Sequence, residues 1–320
     1  MIPAFAAACS GRRAAPRPRA HAMHVLGVFA LLALFATATP GATHAPLQHA
    51  LDVEGHTLAL WEKRARSAHG VVLLVHGRTW SSLPNFDLQT PDENRSVMDA
   101  FVRAGYTAYA LDLRGQGRSP RDASGWLTPR RAAGDVSAAL AWISRANPRF
   151  ARQITLIGYS RGAQVAMLVA QDHDANLATL VLYGFPPAVR TSTPANAPPR
   201  EPTTAQAAAS DFITPGAAPQ RVIDAYVAQA LAADPVRVDW RDEQQFVFEP
   251  RKIAVPTLMI YGANDPFKNA AAAEFFAALA TTDRAFSVLP DSDHAAHVED
   301  SRRVWLHAIL GFLRQPRARS

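Results

Sequence analysis

The chain has 320 residues, of which 48% are hydrophobic, so it is long enough to bury one sizeable core. Its formal net charge of +6 comes mostly from a leader, because without Arg12, Arg13, Arg17 and Arg19 only 29 basic residues face 27 acidic ones. No basic run interleaved with aromatic residues follows, which argues against nucleic acid as a partner.

The first 38 residues have the layout of a secretory signal peptide. An arginine-rich stretch ends at Arg19, an apolar run extends from Val25 to Ala36, and 36-ATA-38 matches a small-residue cleavage pattern. The apolar run is shorter than the roughly 20 residues that a spanning helix needs. We therefore predict a secreted or periplasmic protein without a stable membrane span, with an uncleaved membrane anchor as the alternative. Cys9, the only cysteine, lies in this leader, so neither disulfides nor thiol chemistry are expected.

From residue 50 onward, apolar runs alternate with amphipathic stretches, which is typical of βα units around a mostly parallel sheet. Leu51–Trp61 is predicted to form an antiparallel hairpin or an edge strand. Buried strands are predicted at 71–75, 107–111, 154–157, 180–183 and 257–261, followed by a further strand at 285–289. Helices are predicted at 93–104, 128–146, 162–173, 270–280 and 299–313. These elements predict a single α/β domain over residues 46–316.

The alternation is interrupted once, between Pro186 and Pro256. This segment contains a Pro/Ala/Thr-rich stretch at 194–210 and a predicted helix at Gln220–Ala232. It is far longer than the roughly 2–6 residues of an ordinary αβ loop. We therefore predict a cap insertion at about 187–254 that covers the edge of the sheet.

The strongest local motif is G-x-S-x-G, formed by Gly158, Ser160 and Gly162 where a predicted strand meets a predicted helix. So tight a turn strains the serine backbone, and side chains at the two glycines would collide with neighbouring backbone. The helix N-terminus also places partial positive charge where an oxyanion would develop. We therefore predict that Ser160 is a nucleophile; the alternative is that it only caps the helix.

A serine nucleophile needs a base within hydrogen-bond reach and an acid that orients that base. Asp265 follows the predicted strand 257–261, and His294 follows the predicted strand 285–289. Because open parallel sheets bind ligands outside the carboxyl ends of their strands, both residues are expected at the same edge as Ser160. We predict a catalytic triad of Ser160, Asp265 and His294, in the chain order Ser, acid, His.

Four motifs in this order resemble the α/β-hydrolase superfamily, over roughly Leu51 to Leu313. They are 75-VHG-77, 112-DLRGQGRS-119, the G-Y-S-R-G elbow at 158–162, and 255-VPT-257 followed by Gly262 and 265-DP-266. The resemblance implies an α/β-hydrolase fold like that of serine esterases and lipases, with an oxyanion hole made by the backbone N–H groups of Arg78 and Arg161. Related dehalogenases and epoxide hydrolases carry aspartate at the elbow, and Ser160 argues against both.

The loop around the predicted base leaves alternatives open. His297 is a rival base, and Asp293 stands where the superfamily often has a glycine before the histidine. Asp291 and Asp293 could also compete with Asp265 for the histidine, although their position beside it in sequence favours a surface role.

Arg78 and Arg161 flank the predicted oxyanion hole, although only their N–H groups are needed there. Their guanidinium groups either pair with a nearby carboxylate or bind an anionic part of the substrate. Trp80 and Tyr159 are predicted to contact substrate. Trp126, Phe212 and Phe246 are further candidates for an acyl pocket, with the hydrophobic core as the alternative. His76 is expected to brace the oxyanion loop, and Asp112 with Arg114 to fix the loop that carries them.

The sequence thus predicts a serine hydrolase that cleaves a carboxylic ester of small to medium size through an acyl-enzyme. A thioesterase, lactonase or amidase would use the same triad, as would a cofactor-free haloperoxidase. A binding protein that keeps the fold without the chemistry is the remaining alternative. No metal or organic cofactor is implied, and the predicted partner is a small-molecule ester.

Overall fold

An antiparallel hairpin opens the part of the chain that the computed structural model describes, which comprises residues 45–188 and 201–315. The predicted leader, residues 1–38, and most of the first half of the Pro/Ala/Thr-rich stretch lie outside these residues. Contacts divide the chain after Ala42, and every described residue belongs to the second unit. The strands are β1 (Leu47–Val53), β2 (His56–Lys63), β3 (Gly70–Val75), β4 (Tyr106–Leu111), β5 (Trp126–Leu127), β6 (Ile154–Tyr159), β7 (Leu177–Tyr183), β8 (Asp239–Trp240), β9 (Thr257–Gly262) and β10 (Arg284–Leu289).

Eight of the described strands form one sheet in the order β1-β2-β4-β3-β6-β7-β9-β10. The β1–β2 and β2–β4 pairs are antiparallel, and the remaining pairs in this sheet are parallel. The central strands β3, β4 and β6 are almost wholly buried, which explains why they read as continuous apolar runs. Apolar residues from both faces of the sheet pack against helices, so the sheet lies between two hydrophobic layers.

The helices are α1 (Ser82–Phe86), α2 (Val97–Arg103), α3 (Pro129–Ala146), α4 (Arg161–Gln171), α5 (Ala205–Ala209), α6 (Gln220–Ala233), α7 (Ala270–Ala277) and α8 (Arg302–Leu313). Four of them begin at polar caps whose side chains accept a backbone N–H: Ser96 from Asp99, Thr128 from Arg131, Thr204 from Ala207 and Asn269 from Ala272. The cap at Ser96 explains why α2 starts later than the predicted Glu93. The helix predicted from Glu299 likewise begins only at Arg302, after a turn.

A cap made of α5, α6 and β8 lies over one edge of the fold. Its strand β8 pairs with the short strand β5, and α5 and α6 pack on Trp80 and Val298 through a separate apolar cluster. Asp234, at the end of α6, accepts the backbone N–H groups of Ser81 and Gly117 at 2.8 Å each. The cap is therefore tied to the loops that follow β3 and β4.

The predicted fold class is confirmed: a mostly parallel sheet flanked by helices, with an insertion before β9. The segment 51–61, predicted as a hairpin or an edge strand, forms part of the β1–β2 hairpin, and β1 is the edge. None of the helices in the described residues has the length and apolar character needed to cross a membrane.

Candidate active site

Ser160 stands at the turn between β6 and α4 in a strained backbone conformation. Its φ is +52° and its ψ is −115°, a left-handed region that non-glycine residues rarely adopt. A Cβ at Gly158 would lie 2.5 Å from Ala163 Cα, and one at Gly162 would lie 2.3 Å from both the Val75 and His76 carbonyl oxygens. Both glycines of the motif are therefore required by backbone contacts, and the side chain of Ser160 caps no helix.

Asp265 and His294 meet beyond the ends of β9 and β10. The Nδ1 atom of His294 lies 3.0 Å from Asp265 Oδ2, and the N–H of Phe267 donates to Asp265 Oδ1 at 2.9 Å. A carboxylate acceptor at Nδ1 favours the tautomer that leaves Nε2 free to accept a proton. The structure thus gives His294 the orienting acid that a general base requires.

Gly184 makes room for this pair. Its φ is +56°, and a Cβ there would lie 2.8 Å from the His294 ring and 3.1 Å from Asp265 Oδ2. A side chain at this position would therefore push the histidine away from its acid. The sequence carries a signal for this role, because Gly184 directly follows the strand β7 at the same sheet edge, but we did not predict it.

The pKa of His294 is raised above its ordinary value. Burial opposes the charged ring, but the hydrogen bond and charge of Asp265, together with the charges of Asp211 and Asp293, overcome that effect. A protonated imidazolium at His294 would therefore be stabilised by three carboxyl groups.

His297, the rival base, lies in a different environment. Its ring packs against Tyr159 at 4.5 Å and against Tyr183 at 5.5 Å between centroids. Neither ring nitrogen has a hydrogen-bond partner in the described part of the chain, and burial followed by repulsion from His294 lowers its pKa to about 3. The geometry therefore favours His294 over His297 as the base.

The loop that carries His294 is held by Asp293, which corrects the expectation of a surface role for this residue. Asp293 is fully buried, and its carboxylate accepts the backbone N–H of Thr214 at 2.6 Å and of Ala295 at 3.1 Å. The buried Glu299, whose pKa burial raises to about 9, accepts the Asp293 N–H at 3.2 Å. Asp291 is exposed, as expected, and has a φ of +48°.

The loop after β3 carries the predicted oxyanion donor Arg78. Buried His76 braces this loop as expected: Nδ1 donates to the Gly77 carbonyl at 2.9 Å, while Nε2 accepts the Leu113 N–H at 3.0 Å. The second predicted donor, Arg161, is the first residue of α4, where helix N–H groups have no acceptor within the helix. Both predicted donors thus lie beside Ser160.

Asp112 also fixes its own loop, since its carboxylate accepts the backbone N–H of Arg118 at 3.0 Å. It further receives the indole N–H of Trp61 at 2.9 Å. Arg114 instead makes a bidentate pair with Asp135 of α3 at 2.7 and 2.8 Å.

In the described part of the chain, Ser160 lines two cavities. The smaller, about 70 Å³, also includes His294 and Asp211. The other residues of its wall are Gly77, Arg78, Thr79, Trp80, Asn85 and Tyr159. The larger, about 340 Å³, is lined by Arg78, Ser160, Arg161, Gln164, Pro186, Ala188, Arg237 and Phe267. The serine therefore stands at the junction of a narrow and a wide compartment.

The predicted substrate contacts Trp80 and Tyr159 both lie on the narrow compartment. Of the further candidates, Phe246 packs beneath the Arg161 guanidinium at 4.9 Å. Phe212 packs against Tyr226 in the cap at 5.3 Å, and Trp126 stacks on Arg241 at 3.3 Å. In the described part of the chain these three rings line neither cavity, so their role is packing.

The side chains of Arg78 and Arg161 share one carboxylate. Arg78 binds both oxygens of Glu243 at 3.0 and 3.1 Å, and Arg161 donates to the same group at 2.6 Å. Glu243 is fully buried and comes from a turn of the cap, between β8 and β9. Pairing with a nearby carboxylate was one of our two expectations, although no feature of the sequence singled out Glu243.

Asp211 is a second cap residue that we did not predict. Its carboxylate accepts the hydroxyl of Tyr226 at 3.3 Å, and burial raises its pKa to about 6. It lines the narrow compartment with Ser160 and His294. No motif surrounds it, since it follows the alanine-rich α5.

Within 45–188 and 201–315, no group of three or more His, Cys, Asp or Glu side chains is arranged to hold a metal ion.

Comparison with known proteins agrees with this architecture. The family described as serine aminopeptidase, S33, matches residues 66–301. An esterase from Thermogutta terrifontis, solved with malate bound, is similar in structure with a TM-score of 0.62 and 19% identity, covering 85% of this chain and 98% of its own. A comparison with curated proteins found no match.

Two further solved structures are similar at low identity. The thioesterase domain from the curacin biosynthetic pathway has a TM-score of 0.59 and 20% identity, covering 83% of this chain and 100% of its own. Proline iminopeptidase from Mycobacterium smegmatis has a TM-score of 0.58 and 16% identity, covering 84% of this chain and 98% of its own. Identities this low establish a shared fold and no more.

Proposed function

The chain belongs to the family described as serine aminopeptidase, S33, and is an α/β-hydrolase. We propose that it cleaves carboxylic esters through an acyl-enzyme formed on Ser160. This proposal rests mainly on the pairing of His294 Nδ1 with Asp265 Oδ2 at 3.0 Å. His294 lines the same cavity as Ser160, whose backbone is strained.

In the first half-reaction, the Ser160 hydroxyl oxygen attacks the ester carbonyl while His294 Nε2 removes its proton. The carbonyl oxygen gains negative charge and is bound by the backbone N–H groups of Arg78 and Arg161. The tetrahedral intermediate then collapses, the carbon–oxygen bond to the alcohol breaks, and His294 returns the proton to the departing oxygen. This step leaves the acyl group bound to Ser160.

In the second half-reaction, water takes the place of the alcohol. His294 removes one of its protons, the hydroxide oxygen attacks the acyl carbon, and the same N–H groups bind the oxyanion. Collapse breaks the bond to Ser160, which regains its proton from His294, and the acid product leaves.

The two compartments support a substrate of small to medium size. The wide compartment, about 340 Å³, falls at the lower end of the range of small-molecule pockets, about 300–1,000 Å³. The narrow compartment, about 70 Å³, has room for a few heavy atoms only. We therefore propose that one part of the ester is short and the other longer.

A direct test uses p-nitrophenyl butyrate with the wild type, Ser160→Ala and Ser124→Ala. Ser124 is an exposed serine that is not among the residues lining either compartment, and it serves as the matched control. We expect hydrolysis by the wild type and by Ser124→Ala, and a loss of at least about 1,000-fold in Ser160→Ala. Undiminished activity in Ser160→Ala, or none in the wild type, would contradict the proposal.

Asp211 favours a second candidate, hydrolysis of an amide next to a free amino group. A carboxylate on the wall of the narrow compartment can bind an ammonium group beside the scissile carbonyl. The matching family is described as aminopeptidases, and one similar structure is a proline iminopeptidase. Amino-acid p-nitroanilides separate the two candidates, because only a peptidase cleaves them faster than their N-acetylated forms.

We also propose that the protein is exported and its leader removed. The proposal is supported by the order of charged, apolar and small residues in positions 1–38. Sequencing the N-terminus of protein recovered from its native cell tests it: a start close to residue 39 is expected, and an intact leader would support the membrane-anchored alternative.

A further inference from the structure

The wide compartment is rich in positive charge. Of the described residues that line it, three are arginines, Arg78, Arg161 and Arg237, and none is acidic. Ser160 lines the same compartment, so a molecule bound by these arginines can also reach the nucleophile.

One buried carboxylate does not balance these charges. Glu243 pairs with both Arg78 and Arg161, which leaves that trio with a net charge of +1. Among the described residues, Arg237 forms an ion pair with Glu201 at 3.7 Å, and 65% of the Glu201 side chain is exposed, so solvent weakens this pair. Among the described groups, the compartment therefore keeps an excess of about two positive charges.

The arginines also keep unused donors. The NH1 group of Arg161 and the Nε group of Arg78 are buried and have no acceptor among the described atoms. Only 8% of Arg161 is exposed. Burial and repulsion from Arg78 lower the pKa of Arg161 to about 10, so a bound anion would relieve an unfavourable interaction.

Contacts hold the Arg161 guanidinium in place before any ligand binds. It lies 4.9 Å from the Phe246 ring and 5.4 Å from the Trp240 ring, and its NH2 group donates to Glu243 at 2.6 Å. A preorganised guanidinium loses little conformational entropy on binding, and its planar donors match the two oxygens of a carboxylate.

We propose that Arg78, Arg161 and Arg237 bind a carboxylate carried by the substrate. The enzyme would then prefer half-esters of dicarboxylic acids, or esters of alcohols that carry a carboxylate, to neutral esters. The inference rests on the proposed ester hydrolysis and names its substrate class. Phe267, on the same compartment, would contact the apolar chain between the carboxylate and the ester.

Two matched pairs of substrates test this proposal. In the first pair the carboxylate lies in the acyl part: mono-p-nitrophenyl glutarate against its methyl ester. In the second it lies in the leaving group: 4-carboxyphenyl butyrate against its methyl ester. We expect kcat/KM to favour the acid over its methyl ester by about tenfold or more in one pair, which is the size of one charge-assisted hydrogen bond.

Variants show which charge is responsible. Arg237→Gln removes one of the proposed ligands without disturbing Glu243, and should bring the acid-to-methyl-ester ratio close to one. Arg66→Gln removes an exposed arginine outside the compartment and should keep the wild-type ratio. Equal ratios in wild type and Arg237→Gln would overturn the assignment.

The outcomes also separate this inference from the proposed function. Cleavage of all four esters without preference contradicts the carboxylate site alone. Cleavage of none contradicts the ester-hydrolase proposal, and the site is then judged by calorimetric titration with glutarate. Glutarate should bind the wild type and bind Arg237→Gln several-fold more weakly; no binding to the wild type would overturn the inference.

Discussion

The sheet carries Ser160, Asp265 and His294 beyond the ends of three strands, whereas the cap contributes Asp211 and Glu243 from turns. Two glycines flanking Ser160 set the elbow, and Asp293, beside His294 in sequence, holds the loop that carries the histidine. The cap residues are positioned by contacts with distant parts of the chain. Glu243, for example, binds arginines 82 and 165 residues away.

This difference separates chemistry from selectivity. Parallel strands bring their carboxyl ends to one edge, so the three residues of the proposed triad converge wherever the fold forms. A cap has no such geometric rule, and its charged groups can differ without moving the triad. We therefore expect changes at the sheet edge to abolish the reaction, and changes in the cap to alter stability, pH dependence or substrate preference.

The largest expected effect compares the two histidines near the nucleophile. His294→Gln removes the proposed base and should lower kcat/KM for p-nitrophenyl butyrate by about 10,000-fold. His297→Gln, which changes a buried ring without a carboxylate partner among the described residues, should lower it by less than about tenfold. The reverse order in these kinetic measurements would transfer the role of base to His297.

The elbow glycine gives the next largest effect, on stability. Gly158→Ala places a Cβ 2.5 Å from the backbone of Gly162 and Ala163, and should lower the free energy of unfolding by about 3 kcal/mol. Gly134→Ala in α3 is the control, because a Cβ there meets no atom within 4 Å. It should raise stability by about 1 kcal/mol. Urea unfolding checks both, and equal stability of the two variants would refute the packing argument.

Glu243→Gln tests the cap through its buried charge. The substitution leaves Arg78 and Arg161 without a negative partner, and should lower the free energy of unfolding by about 2 kcal/mol. Glu249→Gln carries the same chemical change at an exposed pair with Lys252, and should alter it by less than about 0.5 kcal/mol. If both variants unfold at the same urea concentration, the buried trio does not hold the cap.

The smallest effect concerns pH. The base acts in its neutral form, so activity falls as pH drops through the raised pKa of His294. Asp211→Asn removes one of the charges that raise this pKa, and the acid limb of kcat/KM should therefore move to lower pH by a fraction of a unit. Asp224→Asn, an exposed carboxylate on α6, should leave the limb in place. A shift to higher pH in Asp211→Asn would contradict this electrostatic account.

The parts of the fold and of the candidate site that depend on local sequence patterns could be predicted from the sequence. Continuous apolar runs predicted β3, β4 and β6 because these strands are buried on both faces, and G-x-S-x-G marked a turn whose glycines the backbone contacts require. Because Asp265 and His294 each follow a predicted strand, they were predicted to lie at one edge, and the structure places His294 Nδ1 3.0 Å from Asp265 Oδ2.

Features that depend on long-range packing escaped prediction. Asp293 was expected to have a surface role because it stands beside His294 in sequence, yet Thr214 of the cap and Ala295 supply donors that allow its burial. A carboxylate partner for the arginines was one expectation, but nothing near Glu243 in sequence distinguishes it from the other acids. Asp211 acquires its place in the narrow compartment only because the cap folds over the sheet edge.

Covalent labelling tests the central claim most directly. The wild-type protein, treated with a fluorophosphonate, should gain one label, and peptide mapping by mass spectrometry should place it on Ser160. Labelling carried out at low pH, where His294 is protonated, should be slower than labelling at neutral pH. A label on another serine, or none on the folded protein at neutral pH, would contradict the assignment of Ser160 as the nucleophile.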